Sequence, residues 1–201
     1  MKKVSIYLLS LTALVLLFAT GQSQAQMFAP APSPAAHVSQ VVGFTKISME
    51  YSSPAVKGRK VFGELEKFGV TWRAGANAPT TIEFSTPVRI GDKNIPAGKY
   101  TVFITPQASG EWTVHINSKG NAVYAYTKDG KVDETALSND DIVAVKATPV
   151  TANDVQERLT YSISAENNKV AKVTMAWDKT RLAFMVDTQV DQKMEGFKTA
   201  F

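Results

Sequence analysis

Two histidines, His37 and His115, carry all the imidazole chemistry available to this chain of 201 residues. Histidine is the commonest general acid or base near neutral pH, so catalysis of that kind would centre on one of them. A serine and an aspartate can be matched with His115 on paper. No Gly-x-Ser-x-Gly elbow is present, however, to lift a serine clear of a strand–turn–helix. His115 lies in Trp112–Asn117, where Trp112, Val114 and Ile116 alternate with Thr113, His115 and Asn117. A strand there turns His115 outward to solvent, and no catalytic set is expected. The chain has no cysteine, which removes thiol nucleophiles and zinc–thiolate sites. Asp129, Asp133, Glu134, Asp140 and Asp141 form an acidic stretch. It lacks the Asp-x-Asp-x-Asn-Gly spacing of a calcium loop and reads as solvated. Neither a metal nor a cofactor is expected.

Binding chemistry is better provided for. In the segment Val70–Ser85, "VTWRAGANAPTTIEFS", Trp72 reads as core and Arg73 sits just before an irregular Gly-Ala-Asn loop. Lys57, Arg59, Arg73 and Asn77 could converge to hold an anion or a sugar acid through charge and planar hydrogen-bond forks. The competing reading makes the segment a structural plug, with Arg73 capping loop carbonyls; its loss would then cost about 2–4 kcal/mol. Tyr124 and Tyr126 share a face if their segment is a strand, which gives either an aromatic platform for sugar rings or a core pair.

The elements that would position these groups are strands. Thr45, Ile47, Met49 and Tyr51 alternate with Lys46, Ser48 and Glu50, and Arg158–Ala165 repeats the period of two. Further short alternating runs surround Ile82, Val102, Val114, Val173 and Leu182. Prolines fall at the margins of these runs, where a missing N–H costs little, and Asp129-Gly130 suits a two-residue hairpin. The pattern predicts an all-β, two-sheet antiparallel sandwich over residues 38–187. Helical spacing is confined to at most one short helix near 61–68.

The flanks read differently. Lys2 and Lys3 followed by a nearly unbroken apolar run from Val4 to Ala19 and then Ser23-Gln24-Ala25 predict a cleaved signal peptide over 1–25. The run is short for a spanning helix, which needs about 20 apolar residues. Residues 26–37, rich in proline and alanine, read as a stiff linker carrying His37, and 188–201 as a tail. The terminal Phe201 brings outer-membrane barrels to mind, but the charged residues before it lack an apolar band. Basic residues number 22 and acidic ones 18, and the excess narrows once Lys2 and Lys3 leave. That balance argues against nucleic acid and anionic membranes as partners. The expected location is the periplasm or the exterior, without a membrane span after cleavage and, lacking cysteine, without a lipid anchor.

In order along the chain stand Tyr51-Ser52-Ser53-Pro54, Lys57-Gly58-Arg59, Phe62-Gly63, Trp72-Arg73-Ala74-Gly75-Ala76-Asn77, Pro96-Ala97-Gly98-Lys99-Tyr100 and Glu111-Trp112-Thr113. This series resembles the exported bacterial proteins grouped as domain of unknown function 2911. The resemblance implies a signal sequence followed by a β-rich domain and brings no established activity. It departs at His115, where the family's pattern has an apolar residue, which argues against a histidine site shared by the family.

The expected function is non-enzymatic binding of a small polar ligand or glycan. The alternatives are a cell-envelope structural or interaction module, and a hydrolase with His115 as its base.

Overall fold

The computed structural model describes residues 30–198; the signal-peptide segment and the start of the linker lie outside them. All that follows concerns the compact unit that begins at Ala31. Twelve strands run in chain order: β1 (Ala35–Val42), β2 (Thr45–Ser52), β3 (Thr81–Phe84), β4 (Val88–Ile90), β5 (Lys93–Ile95), β6 (Gly98–Thr105), β7 (Trp112–Asn117), β8 (Thr127–Lys128), β9 (Lys131–Val132), β10 (Asp141–Ala147), β11 (Val150–Ala165) and β12 (Val170–Asp187). A six-stranded sheet, β1-β2-β3-β6-β7-β10, faces a four-stranded one, β11-β12-β4-β5, and every pairing is antiparallel. The fold is thus the all-β sandwich that the alternation predicts.

The period of two does the sorting. Ile47 and Met49 of β2, Ile82 and Phe84 of β3, and Val114 and Ile116 of β7 are buried on one side. They meet Leu159 and Tyr161 of β11 and Val173, Met175 and Trp177 of β12 in one cluster. All three tryptophans of the sequence are in it, Trp72, Trp112 and Trp177. Trp72 and Trp177 stack with centroids 5.5 Å apart. Phe62 makes T-shaped contacts with Trp112 at 4.6 Å and with Trp72 and Trp177 at 6.0 Å. Offset and edge-on rings of this kind add to the gain from burial.

Three features differ from the sequence pattern. The sheet takes up the chain at Ala35, so His37 lies in β1 opposite Glu50 rather than in a linker. Residues 61–68 form turns closed by a Phe62–Glu66 bridge instead of a helix. Gly63 and Gly69 take φ of 95° and 75° there, and Phe62 is drawn down among the tryptophans. The α-helices are elsewhere, α1 (Glu134–Asn139) and α2 (Val190–Lys198). Asp133 caps α1 by accepting from Ala136 N. Lys193 fastens α2 by donating to Thr45 Oγ1, Thr86 Oγ1 and the carbonyls of Pro87 and Thr188.

The outer face of the six-stranded sheet is covered as well where it is formed by β7 and the second half of β6. Every residue of β7 is buried, because residues 118–140, with β8, β9 and α1, fold across it. Phe103, Tyr126 and Leu137 make a second small core in this layer. Trp177→Ala is expected to destabilise the protein by about 3–5 kcal/mol in chemical denaturation, since the ring packs against Phe62 and Trp72 and is 1% exposed. An unchanged denaturation midpoint would contradict the central role of the cluster.

Candidate functional site

The loop that joins β2 to β3, residues 53–80, carries the four basic and amide residues singled out by the sequence. It is secured at several points. Trp72 exchanges two backbone hydrogen bonds with Ile104 of β6, at 2.8 and 2.9 Å. The Trp72 indole N–H donates to the Gly75 carbonyl at 3.0 Å. The Ala74 carbonyl accepts from Thr80 Oγ1 at 3.0 Å and from Tyr161 OH at 2.7 Å. A β-carbon on Gly75 would stand 2.4 Å from Thr80 Oγ1, so only glycine fits without displacing Thr80. The Trp-Arg-Ala-Gly-Ala-Asn block is a structural knot.

Arg59 donates to the carbonyls of Val56 at 3.0 Å and Ala55 at 2.6 Å. Asn77 donates to the Ser33 carbonyl at 3.0 Å, and the Lys57 backbone N–H to Glu157 Oε1 at 3.0 Å. Arg73 is exposed and reaches only the Asn77 carbonyl, at 3.4 Å. The stranded-partner cost expected for its loss therefore does not arise. Arg59 and Arg73 both act on Glu66, whose carboxyl is pushed up to about 7 by burial, with the two guanidinium groups opposing that rise. The side chains of Arg59, Arg73 and Asn77 thus meet backbone carbonyls.

Tyr124 and Tyr126 do not form a platform. Residues Val123–Tyr126 are one tight helical turn, which turns Tyr124 into solvent at 78% exposure and buries Tyr126. Tyr126 meets Phe103 edge-on at 6.0 Å, and its hydroxyl lies 3.0 Å from Asp140 Oδ2 and 3.2 Å from Asn117 Oδ1, with one hydrogen to give between them.

His115 is the largest departure from the sequence reading. It faces outward from its sheet but is only 5% exposed, because the 118–140 excursion covers it. Its Nδ1 lies 2.6 Å from Asp141 Oδ2, and its Nε2 lies 2.8 Å from Thr105 Oγ1. Thr105 Oγ1 is 2.5 Å from Thr71 Oγ1, which donates in turn to Glu134 Oε2. A β-bulge creates this contact: two residues of β10 oppose one of β7 between Asp141 and Val143, so that Asp141 faces Asn117. The extra residue re-aims the strand and brings the carboxylate to the outer face. Glu134 and Asp141, read in the sequence as parts of a solvated acidic loop, are the two ends of a polar chain that is buried at Thr71, Thr105 and His115 and half-buried at Glu134.

The sandwich also has a groove of about 440 Å³ at the end where the aromatic cluster surfaces. Phe62, Phe68 and Trp112 line it together with Lys60, Gln107 and Asp178. Its walls are the 60–68 turns, the β6–β7 connection, and the β10–β11 connection with the adjoining open end of the β11–β12 pair. Phe68 is 40% exposed, while the Trp112 N–H is occupied by the Gln107 carbonyl at 2.9 Å. The groove is rigid at its base and polar at its rim. Nothing in the spacing of Lys60, Phe68, Gln107 and Asp178 foretold it.

Among the described residues no group of three or more His, Asp or Glu is placed to hold a metal ion, and no helix is long and apolar enough to cross a membrane. Residues 33–186 match the family described as protein of unknown function DUF2911, and the chain belongs to that family. Comparison with curated proteins and with solved structures found no match.

Two outcomes follow for the loop. Arg73→Ala is expected to cost less than about 1 kcal/mol, as for other exposed charges, and a loss of 2 kcal/mol or more in a denaturant titration would contradict the arrangement. For Glu66, the raised folded-state value means that the native state holds its proton more tightly than the unfolded chain. The contribution is present in full below about pH 4.5 and declines as the pH rises through about 7. Glu66→Gln should accordingly stabilise the protein above neutral pH, by something on the order of 2 kcal/mol, and leave acid stability nearly unchanged.

Proposed function

We propose that this DUF2911 domain is a non-enzymatic binding module for a small polar ligand of the glycan class, and that it binds in the groove lined by Phe62, Phe68 and Trp112. One observation carries the reading: the groove sets exposed aromatic surface directly beside cationic, anionic and amide side chains, Lys60, Asp178 and Gln107. A sugar ring has apolar C–H faces and a rim of hydroxyls. Stacking on Phe68 takes the first, and the polar rim takes the second. A preformed site also limits the ordering cost of binding, and the groove's floor is fixed by the packed aromatic cluster. On this reading the ligand lies away from Lys57, Arg59, Arg73 and Asn77; of these, Arg59 is engaged with loop carbonyls and Asn77 with the Ser33 carbonyl.

Export to the periplasm or the exterior accords with the reading. It rests on the signal-like residues 1–25, and the absence of cysteine leaves no residue for a lipid anchor. Saccharides are abundant in that setting.

The test is an NMR titration of the ¹⁵N-labelled domain with neutral and acidic oligosaccharides, following the Trp112 indole N–H and the backbone amides of Lys60, Phe68 and Gln107. Saturable shifts confined to the groove are expected. Phe68→Ala should weaken binding by about tenfold or more, the scale of one lost stacking contact, with little change in melting temperature because the ring is partly exposed. Absence of shifts across both series, or shifts that persist unchanged in Phe68→Ala, would overturn the assignment.

A further inference from the structure

We propose that Glu134, Thr71, Thr105, His115 and Asp141 form a proton-locked latch, in which one proton, held on His115 as an imidazolium, closes the 118–140 excursion over the outer face of the sheet. The argument is a count of hydrogens. The chain contains four contacts in line: Glu134 to Thr71, Thr71 to Thr105, Thr105 to His115, and His115 to Asp141. Each contact needs one hydrogen between its heavy atoms. A hydroxyl supplies one, and a neutral imidazole supplies one. With both carboxylates ionised, that leaves the chain one hydrogen short.

The direction of the bonds says where the missing hydrogen sits. Thr71 gives its only hydroxyl hydrogen to Glu134. Thr105 must then donate to Thr71, and with its own hydrogen so used it can only accept from His115 Nε2–H. Asp141 accepts from Nδ1–H at 2.6 Å. Both ring nitrogens therefore carry hydrogen. The alternative moves the proton to a carboxyl end, but each end already accepts a second donor. The Thr71 backbone N–H donates to Glu134 Oε1 at 3.0 Å, and Asn117 Nδ2 lies 3.4 Å from Asp141 Oδ1. Accepted hydrogen bonds favour the ionised carboxylate.

The surroundings agree in sign. From α1 and its C-terminal end come Glu134 and Asp140, and from β10 Asp141 and Lys146. From the chain after β7 comes Lys119, and from the excursion's first turn the Tyr126 phenol, bonded to Asp140 and Asn117. Lys146 is directed to Thr113 Oγ1 at 2.7 Å, and Lys119 is 4.0 Å from Asp140. β6 contributes Phe103 and the Thr105 hydroxyl, neither charged. The side chains of His115 and Asp141 are 7% and 5% exposed, so their attraction is little screened.

The latch spans the interface it would close. Thr105 and His115 belong to the sheet, Thr71 to the β2–β3 loop, Glu134 to the excursion and Asp141 to the strand that the excursion leads into. Removing the proton leaves two lone pairs face to face at one buried contact, and the excursion is the layer free to move away. The closed form binds one more proton than the released form, so closure is complete at the acid end and weakens as the pH rises. Release would uncover Phe103 and His115 together.

The experiment uses the full chain with ¹⁵N-labelled imidazoles, with His37→Gln to leave a single ring. Near neutral pH both His115 nitrogens should show protonated shifts. As the pH is raised, the ring should become neutral. Amide exchange over residues 118–140, corrected for its intrinsic pH dependence, should accelerate in the same interval by about tenfold, the scale of one lost hydrogen bond. Thr105→Val, close in shape, should give a neutral ring at lower pH and an exchange rate indifferent to pH. A bare ring nitrogen in the parent protein at neutral pH would overturn the proposal. So would exchange over 118–140 that stays constant while His115 titrates. The parent measurements decide the matter even if Thr105→Val does not fold.

Discussion

Phe62 is the point on which the architecture turns. It comes from an irregular loop with no strand of its own, yet its ring stands in T-shaped contact with each of the three tryptophans. Those indoles belong to the β2–β3 loop, to β7 and to β12. One side chain therefore ties the loop to both sheets, in a protein with no disulfide to do so. Once Phe62 is seated, the rest of the loop has little freedom. Trp72 must lie along β6, where it takes two ladder hydrogen bonds beyond the end of β3. Ala74 and Gly75 must turn tightly enough to give their carbonyls to Tyr161, Thr80 and the Trp72 indole. Burial of large aromatic area outweighs the cost of ordering a long segment that has no regular structure.

The groove is a by-product of the same packing. Rings that fill the end of the sandwich leave their outer edges between three connecting segments, and those segments bring polar side chains to the rim. A binding surface made in this way has a floor that cannot relax, because the interior behind it is close-packed. The knot around Arg73 supports this floor from one side rather than supplying contacts of its own. Its guanidinium and that of Arg59 moderate, without reversing, the effect of burial on Glu66.

The second layer obeys different physics. Most sandwich sheets leave one face to water, but here β7 is covered on both sides. The outer cover is held by a small apolar pad, Phe103, Tyr126 and Leu137, and by polar groups most of which find partners once water is excluded; Thr101 Oγ1 is buried there without one. Thr105, His115 and Asn117 would be ordinary surface residues on an open sheet. Beneath the excursion they are obliged to pair, and the pairing they find runs through two hydroxyls to a carboxylate at each end. A cover held largely by hydrogen bonds responds to protonation in a way that an apolar core does not.

The alternation of Thr45–Tyr51 and Arg158–Ala165 determined the strands, and with them the sandwich, since a period of two with one apolar side can be satisfied only by a sheet with one face in a core. The Asp129-Gly130 turn was equally legible: both residues take positive φ, 52° and 75°, between β8 and β9. Trp72 as core and its neighbours as a plug followed from the same local rules. Tertiary structure alone decided what lies over the second face. Pattern cannot distinguish a polar residue facing water from one facing another polar residue, so His115 read as exposed and Glu134 and Asp141 as solvated. Nor can it place a bulge: one extra residue in β10 exchanges Ile142 for Asp141 beside Asn117 and so completes the chain to His115. The groove arose from three segments distant in sequence, and their meeting was set by Phe62, a packing choice that no spacing of residues encodes.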